Sequence, residues 1–227
     1  MWAAAPTRSL LKSSAVHKYV IMGPQGSGKG TQAVLLKDKL NLTHISVGDI
    51  FRWHVQVHTK LAARIKRIID AGNLVPDDIV ETIVRTRLDE HDWNYGFILD
   101  GFPRNIDQAR FFLESYDIDA VIYIDVPESV TIERALARRV CGNCGLDYNL
   151  IFHRPAEPDT CDVCGGPLLQ RSDDNEPALR QRLADFNAKT RPALDLFETK
   201  ELVWHVDGTT SRDQVHQSIC EKLGVPK

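Results

Sequence analysis

The stretch GPQGSGKGT, residues 23–31, lies between a short apolar run and a segment with helical spacing. The run Tyr19–Met22 is partly β-branched and predicts a strand, whereas the apolar positions of residues 31–40 predict a helix. A glycine-rich turn before a helix lets backbone N–H groups surround an anion, and Lys29 adds a mobile positive charge. The stretch therefore predicts a phosphate-binding loop rather than a turn without a ligand. Gly30 stands where Ser or Thr usually follows the lysine, which weakens the expectation that a hydroxyl ligates Mg²⁺ directly.

The composition is that of an ordinary globular chain. Of the 227 residues, 43% are hydrophobic and 26% are charged, so the chain can bury a core as one domain carrying insertions. The formal net charge is −3, and no apolar run approaches the length of a membrane span. We therefore expect neither nucleic acid nor a membrane as a partner, and nothing in the sequence demands more than a monomer.

Residues 1–18 contain basic residues and serines but no acid, since the first acidic residue of the chain is Asp38. This composition has two interpretations, an organellar transit segment and a disordered extension. The extension is favoured because composition alone is weak evidence for targeting. If residues 1–18 are a disordered extension and not a transit segment, we expect the protein in the cytoplasm.

Apolar runs and amphipathic segments alternate from residue 19 onward, which predicts a doubly wound parallel sheet with right-handed crossovers. Two insertions interrupt it: a group of three successive helices, and a glycine- and cysteine-rich segment, residues 141–169, without a helix or strand period. Asp100 closes a buried apolar run and should emerge at the carboxyl edge of the sheet, where ligands bind. The predicted strands are 19–22, 44–47, 97–100, 120–126 and 202–206. The predicted helices are 31–40, 48–53, 61–71, 76–88, 106–116, 128–140 and a terminal one around 215–223. A further helix is predicted from residue 174, and Pro192 should kink it.

Four of the five cysteines form two C-x-x-C pairs, Cys141 with Cys144 and Cys161 with Cys164. This spacing, with flanking glycines that let the backbone curl, predicts a structural zinc ion on four thiolates. Two disulfides or unligated thiols are the alternatives, and the unpaired Cys220 argues for a reducing compartment and against disulfides. A nucleic-acid-binding zinc ribbon is a further alternative, but the segment carries more acidic than basic residues.

Six arginines stand at helix starts, strand-end turns or the borders of the insertions rather than along one exposed face. Each alone is most simply a surface ion pair. Together with a phosphate-binding loop they predict a site for two polyanions, because guanidinium groups hold phosphate oxygens bidentately and neutralise charge as it moves. They are Arg52, Arg104, Arg134, Arg138, Arg171 and Arg182.

The motifs resemble those of adenylate kinases, of the bacterial type with a zinc-bearing lid, over nearly all of the chain after residue 18. The resemblance implies a five-stranded fold of the P-loop NTPase type, with a core of residues 19–45, 76–138 and 175–227. It also implies a helical monophosphate-binding insertion, residues 46–75, and a zinc-binding lid, residues 139–174. The motifs are the phosphate loop, Ser46–Asp49 with Arg52, Asp100–Arg104 with Gln108, Arg138-Arg139, the four cysteines and Gln170–Asp174.

What the resemblance implies is reversible transfer of the γ-phosphoryl group of Mg·ATP to AMP, giving two ADP, with zinc in a structural role. Such a transfer needs positioning and positive charge more than covalent help, and a closing lid excludes water. The implied catalytic residues are Lys29, Arg104, Arg134, Arg138, Arg171 and Arg182, and Asp100 is expected near Mg²⁺ through water. The implied ATP contacts are Gly26, Ser27, Gly28, Lys29, Gly30, Thr31, Arg134, Tyr148 and Thr210. The implied AMP contacts are Val47, Arg52, Asn73, Leu74, Val75, Gly101, Phe102, Arg104, Gln108, Arg171 and Arg182.

Four positions depart from the residues most common in the family. Val47 and Asn73 replace Thr and Lys in the implied monophosphate pocket, and Asn105 and Thr210 replace residues that vary less. The acceptor, AMP or another monophosphate, and the donor, ATP or GTP, therefore stay open, and a related nucleoside monophosphate kinase is the nearest alternative. A nucleotide-dependent switch or a zinc-module binding protein is an alternative of another class, against which the second nucleotide site argues.

Overall fold

A parallel sheet of five strands lies at the centre of the computed structural model, which describes residues 16–92 and 94–225. The order across the sheet is 2-3-1-4-8 in the numbering of strands along the chain, and every neighbouring pair is parallel. Strands 2 and 3 lie on one side of the first strand, and strands 4 and 8 lie on its other side. The predicted doubly wound sheet is therefore confirmed. The strands are β1 (Lys18–Met22), β2 (Thr43–Ser46), β3 (Phe97–Asp100), β4 (Ala120–Asp125) and β8 (Val203–Asp207).

Nine α-helices surround the sheet in the described part of the chain. They are α1 (Lys29–Leu40), α2 (Val47–Gln56), α3 (Lys60–Asp70), α4 (Asp77–Asp89), α5 (Ile106–Ser115), α6 (Glu128–Leu136), α7 (Glu176–Asp185), α8 (Arg191–Glu198) and α9 (Arg212–Leu223). Alternate residues of β1 face opposite sides, so that Val20 and Met22 pack in one apolar cluster and Tyr19 and Ile21 in the other. Side chains of α2, α3, α4, α5 and α8 fill the first cluster, and those of α1 and α9 fill the second.

The carboxyl edge of the sheet brings an acid next to the phosphate-binding loop. Phe97, Ile98 and Leu99 are fully buried, and Asp100 ends β3 at 8% exposure. In the strand register Asp100 lies opposite Ile21 of β1 and Ser46 of β2. The predicted position of this carboxylate at the carboxyl edge of the sheet is confirmed.

A second, smaller sheet lies within the cysteine-rich insertion. It is antiparallel and consists of β5 (Arg138–Cys141), β6 (Asp147–Asn149) and β7 (Leu168–Leu169) in the order β6-β5-β7. The predicted helix over 128–140 is therefore wrong at its end, since α6 stops at Leu136. The segment that follows pairs with a strand brought close by the tertiary fold, and such pairing overrides weak local preference. Cys141, Tyr148, Cys161 and Leu168 form a small buried cluster of their own.

Two other boundaries differ from the sequence prediction. Val47 was predicted to end β2, but it begins α2, because the Ser46 hydroxyl accepts the backbone N–H of Asp49 at 3.3 Å and caps the helix. Pro192 was predicted to kink a long helix, but it lies in the first turn of α8. The helix that was predicted to be continuous is instead interrupted by a π-helical turn, Phe186–Thr190, which separates α7 from α8 just before that proline.

Within residues 16–92 and 94–225, no helix is both long enough and apolar enough to cross a membrane. The interpretation of residues 1–18 falls almost entirely on residues 1–15, which lie outside the described residues. The division into core, monophosphate-binding insertion and lid stays a prediction.

Candidate active site

The phosphate-binding loop predicted for residues 23–31 leads from β1 into α1. Gly28 is the N-cap residue of α1 with a φ of 92°, and Gly26 has a φ of 85°. A Cβ on Gly26 would lie 2.3 Å from the Thr131 carbonyl oxygen, so this position requires glycine for space as well as for its backbone angle. Within the described residues no side chain caps α1, and its first turn, which includes Gly30 and Thr31, carries no acid. The N–H groups at the start of α1 are therefore available to an anion.

Lys29 lies in a strongly positive surrounding. Burial lowers its pKa from 10.5 to about 8. The charge of Asp100 opposes this shift, whereas three neighbouring arginines reinforce it: Arg104, Arg138 and Arg182. A lysine whose charged form is disfavoured in this way is poised to gain from a bound anion.

Asp100 offers hard oxygen ligands beside the loop. Its Oδ1 and the Ser27 hydroxyl oxygen are buried without a hydrogen-bond partner among the described residues. Its Oδ2 lies 3.8 Å from His44 Nε2, beyond hydrogen-bonding distance. Burial acts to raise the pKa of Asp100, but the neighbouring His44 and Lys29 together lower it below its ordinary value. An ionised carboxylate and a hydroxyl with free oxygens fit Mg²⁺ or its water ligands.

A pocket beside the loop brings together nine of the eleven implied AMP contacts. Its walls are charged near the arginines and apolar where α2 and α4 face it. Phe102 lies in an adjoining cavity with Lys29, and the two cavities share Gly101, Arg104 and Arg182, so they form one continuous crevice. Arg171 lines neither cavity. The nine are Val47, Arg52, Asn73, Leu74, Val75, Gly101, Arg104, Gln108 and Arg182.

The arginines that line this crevice, together with their neighbours Arg138 and Arg171, outnumber the acids that pair with them. Burial, followed by the charges of Arg182 and Arg52, lowers the pKa of Arg104 to about 10. Burial, followed by the charges of Arg52 and Arg138, lowers the pKa of Arg171 to about 10 as well. Four acids offset part of this charge, through the ion pairs Arg52–Asp49, Arg138–Asp174, Arg171–Asp147 at 2.9 Å and Arg182–Asp173 at 2.6 Å.

Arg134 stands outside this group. Its guanidinium donates to the Gly208 carbonyl at 2.7 Å and to the Thr209 carbonyl at 3.3 Å, and it lies 5.1 Å from the centre of the Phe152 ring. Thr210 is the next residue of that loop and is exposed. The structure therefore places Arg134 against the loop that carries Thr210 and not among the other arginines.

The Tyr148 side chain points into the cysteine-rich insertion and not into the crevice. It is 2% exposed, and its hydroxyl donates to Cys161 Sγ at 3.5 Å and accepts from the Asp162 backbone at 2.8 Å. The ring also stacks on His153. Because the side chain is engaged in this way, only the backbone of Tyr148 is left for the implied contact with ATP.

The four cysteines of the insertion lie together. Their Sγ atoms are all within 4.8 Å of one another, with 3.4 Å between Cys141 and Cys164 and 3.7 Å between Cys144 and Cys161. All four are free thiols, so the disulfide alternative does not hold. Four sulfurs at about 2.3 Å from one zinc ion lie about 3.8 Å apart, so the cluster fits tetrahedral zinc.

Most of the chain matches one family model, which covers residues 21–202 and is described as adenylate kinase. The chain belongs to the adenylate kinase family. The adenylate kinase of Symbiobacterium thermophilum is 46% identical over 209 residues, which cover 90% of this chain and 97% of that protein. That of Clostridium tetani is 41% identical over 210 residues, with the same two coverages, and that of Methanocella arvoryzae is 43% identical over 203 residues, covering 87% and 94%. The resemblance found in the sequence is confirmed.

Several pocket residues of this adenylate kinase family member were not predicted. Phe51 on α2 and Val80 on α4 form part of the apolar wall of the pocket. Their helical spacing from Val47 and Asp77 is the sequence signal that could have predicted this position. Gln25 also lines the pocket, but no signal marks one loop side chain above its neighbours. Asp173 and Asp174, which pair with Arg182 and Arg138, belong to the motif Gln170–Asp174. Their arginine partners depend on the tertiary fold and could not be predicted from that motif.

Proposed function

We propose that this member of the adenylate kinase family transfers the γ-phosphoryl group of Mg·ATP reversibly to AMP, giving two ADP. The proposal rests on the concentration of positive groups around a crevice that runs from the phosphate loop to a partly apolar pocket. Their mutual repulsion is unfavourable without a ligand, and two nucleotides whose phosphates meet in the crevice would relieve it. The groups are Lys29, Arg52, Arg104, Arg138, Arg171 and Arg182.

The two nucleotides would occupy different parts of the crevice. The loop N–H groups and Lys29 would hold the ATP phosphates. Arg52 and Arg104 would hold the phosphate of AMP, because both line the pocket whose apolar wall suits a base. Arg134 and Thr210, neither of which lines this pocket, would contact ATP outside its phosphates.

The remaining arginines would provide catalysis by position and charge. Arg138, Arg171 and Arg182 each pair with an acid that fixes the guanidinium while leaving other N–H groups free. Held between the two nucleotides, they would stabilise negative charge on the moving phosphoryl group. The lid would exclude water, which otherwise accepts that group and hydrolyses ATP.

Two metals fit the chain in different roles. Asp100 would hold Mg²⁺ through water. Bound Mg²⁺ neutralises charge on the ATP phosphates. Cys141, Cys144, Cys161 and Cys164 would hold zinc, which is closed to substrate and therefore structural.

The acceptor is tested by steady-state phosphoryl transfer from Mg·ATP to AMP, GMP, CMP, UMP and their deoxy forms, with GTP as an alternative donor. Strong preference for AMP, with two ADP formed, supports the proposal despite Val47 and Asn73 in the pocket. Preference for another monophosphate would assign a sister specificity. Binding of ATP without transfer to any monophosphate would favour a nucleotide-dependent switch.

We further propose that the protein acts as a monomer in the cytoplasm and that its partners are ATP, AMP and ADP. Four free thiols clustered as for zinc suit a reducing compartment. The net charge of −3 offers no general attraction to nucleic acid or to an anionic membrane. Light scattering on the purified protein tests the monomer, and a location in an organelle stays the alternative.

A further inference from the structure

The side-chain amide of Gln108 is held on both sides by groups of fixed hydrogen-bonding character. Gln108 is 1% exposed and lines the monophosphate pocket with Arg52 and Arg104. Its Oε1 accepts the backbone N–H of Arg104 at 2.8 Å, and its Nε2 donates to Oδ1 of Asp77 at 2.7 Å. Both bonds are short and partly buried, so they restrict the amide strongly.

Only one of the two amide orientations satisfies both partners. A backbone N–H can only donate, and an ionised carboxylate can only accept. Turning the Gln108 amide by 180° would place its NH₂ against the Arg104 N–H and its oxygen against the Asp77 carboxylate. Two hydrogen bonds would be replaced by two repulsive contacts in a buried site.

Asp77 is itself held in place. Asn105 Nδ2 donates to its Oδ1 at 2.9 Å and to its Oδ2 at 3.0 Å. Asn105 Oδ1 in turn accepts the backbone N–H of Gln108 at 2.9 Å and caps α5. The first turn of α4, which contains Asp77, favours its negative charge. The three side chains therefore form a closed network between the starts of α4 and α5.

The fixed amide has consequences for the base that it meets. Gln108 keeps one N–H and one lone pair free, and their order along the pocket wall is set by the network. Such a pair matches a ligand edge that offers an acceptor to the N–H and a donor to the oxygen. N1 and the 6-amino group of adenine have this character, whereas N1–H and the 6-oxo group of hypoxanthine or guanine have the reverse. Reversed edges are rejected because buried polar groups are left unpaired.

We propose that Asp77 is a positioning residue that sets the preference for a 6-aminopurine over a 6-oxopurine monophosphate by fixing the amide of Gln108. This inference rests on the proposed function of the pocket. It assigns the choice of base to a residue that lies behind the pocket wall. Asn105, which departs from the family, supports Asp77 in this role.

The test compares AMP with inosine monophosphate, which differs from AMP only at N1 and the 6-substituent. The nearly isosteric Asp77→Asn replaces one accepting oxygen by a donor and removes the charge. We expect the AMP-to-inosine-monophosphate ratio of kcat/KM to fall by about tenfold, the size of one lost hydrogen-bond preference. Asp78→Asn is the matched control, since Asp78 is exposed in the same helical turn, and it should leave the ratio unchanged.

A double-mutant cycle separates positioning from general damage to the pocket. If Asp77 acts through Gln108, Asp77→Asn should not change the ratio further in a Gln108→Ala background. Asp77→Ser, which is too short to reach the amide, serves as a second variant should Asp77→Asn not fold. An unchanged ratio in the folded Asp77 variants, or an equal fall in the Gln108→Ala background, would overturn the role of Asp77. Failure of the wild type to use AMP at all would instead overturn the proposed function.

Discussion

Lys29 shows most directly how one residue can be unfavourable for folding and suited to binding. Its pKa in the folded protein is about 8, against 10.5 for a free side chain, because burial disfavours its charge. The associated cost to stability is present in full below pH 8 and disappears as the pH rises toward 10.5. Anionic phosphate reverses the balance by stabilising the charged form.

Replacement of Lys29 by Met should therefore stabilise the protein without nucleotide. The full shift corresponds to about 3 kcal/mol, and partial exposure reduces the expected gain to about 1 to 2 kcal/mol at pH 7. Turnover should fall by about 100-fold or more. Urea denaturation measures the stability. The control Lys37→Met, at an exposed position of α1, should change it by less than about 0.5 kcal/mol. A destabilised Lys29→Met protein would contradict this account.

Binding of ATP should take up protons near pH 8. Below that pH Lys29 is already charged, so ATP affinity should be nearly constant; above it the free protein must gain a proton, and the affinity should fall as the pH rises. Calorimetry at pH 8.5 in two buffers of different ionisation enthalpy measures the uptake. Lys29→Gln should abolish it. Equal apparent enthalpies in both buffers for the wild type would count against the low pKa.

Arg52 should contribute more to the binding of AMP than to the binding of ATP. It lines the proposed monophosphate pocket, so Arg52→Ala should weaken AMP binding by about 10-fold to 100-fold, the usual loss of a charged hydrogen bond, while ATP binding changes little. Titration with each nucleotide separately measures both. Arg64→Ala, at an exposed position on α3, is the control for removing a positive charge. An equal loss for both nucleotides would argue for a single site.

At the scale of elements, the cysteine-rich insertion depends on something other than a large core. Its buried cluster is small, and its three strands are only two to four residues long. Short strands with few apolar contacts are not stable alone. A metal on the four thiolates would supply the missing stabilisation.

Removal of zinc should loosen this insertion before the rest of the molecule. With a strong chelator, we expect amide exchange and protease cleavage to rise first over residues 138–169, while the five-stranded sheet stays protected. Hydrogen exchange followed by mass spectrometry measures both regions in one sample. Cys144→Ser should reproduce the effect without chelator, and Cys220→Ser, far along the chain on α9, should not. An unchanged pattern with chelator would remove the zinc proposal.

At the scale of the whole molecule, distant segments meet at the end of the predicted monophosphate-binding insertion. Gly72 follows α3 and lies against the first turn of α7, where a Cβ would come 2.5 Å from the Ala178 carbonyl oxygen. Ser172 also donates to Asp70 at 2.7 Å. These contacts join the end of α3 to the segment before α7, although about one hundred residues separate them in sequence.

Gly72→Ala should therefore destabilise the protein more than backbone strain alone explains. Gly72 has a φ of +79°, which costs a residue with a side chain about 1 to 2 kcal/mol, and the clash should raise the total to about 3 kcal/mol. Thermal or urea denaturation measures the loss. Gly224→Ala is the matched control, because its φ is +64° and nothing lies within 4 Å of its Cβ position. Equal losses in both variants would show that the close approach to Ala178 is not rigid.

The parallel sheet, the glycine-rich loop and the cysteine cluster could all be predicted from the amino-acid sequence. In each case the signal is local, since a buried strand, a glycine-rich turn and a C-x-x-C pair are each encoded within a few consecutive residues. The nine implied AMP contacts that line the pocket were predicted from the family resemblance, which itself depends on short motifs. Asp100 was placed correctly because the end of a buried parallel strand has only one edge at which to emerge.

The long-range partners of these residues became known from the folded structure. Residues 138–141 form a strand because β6 and β7 lie beside them, and the Tyr148 side chain turns inward because the cysteines form the core that accepts it. The low pKa of Lys29 and the fixed amide of Gln108 depend on charges and hydrogen bonds from other elements. The physical reason is common to all: electrostatic and packing interactions depend on distance in space, and spacing in the sequence does not give that distance.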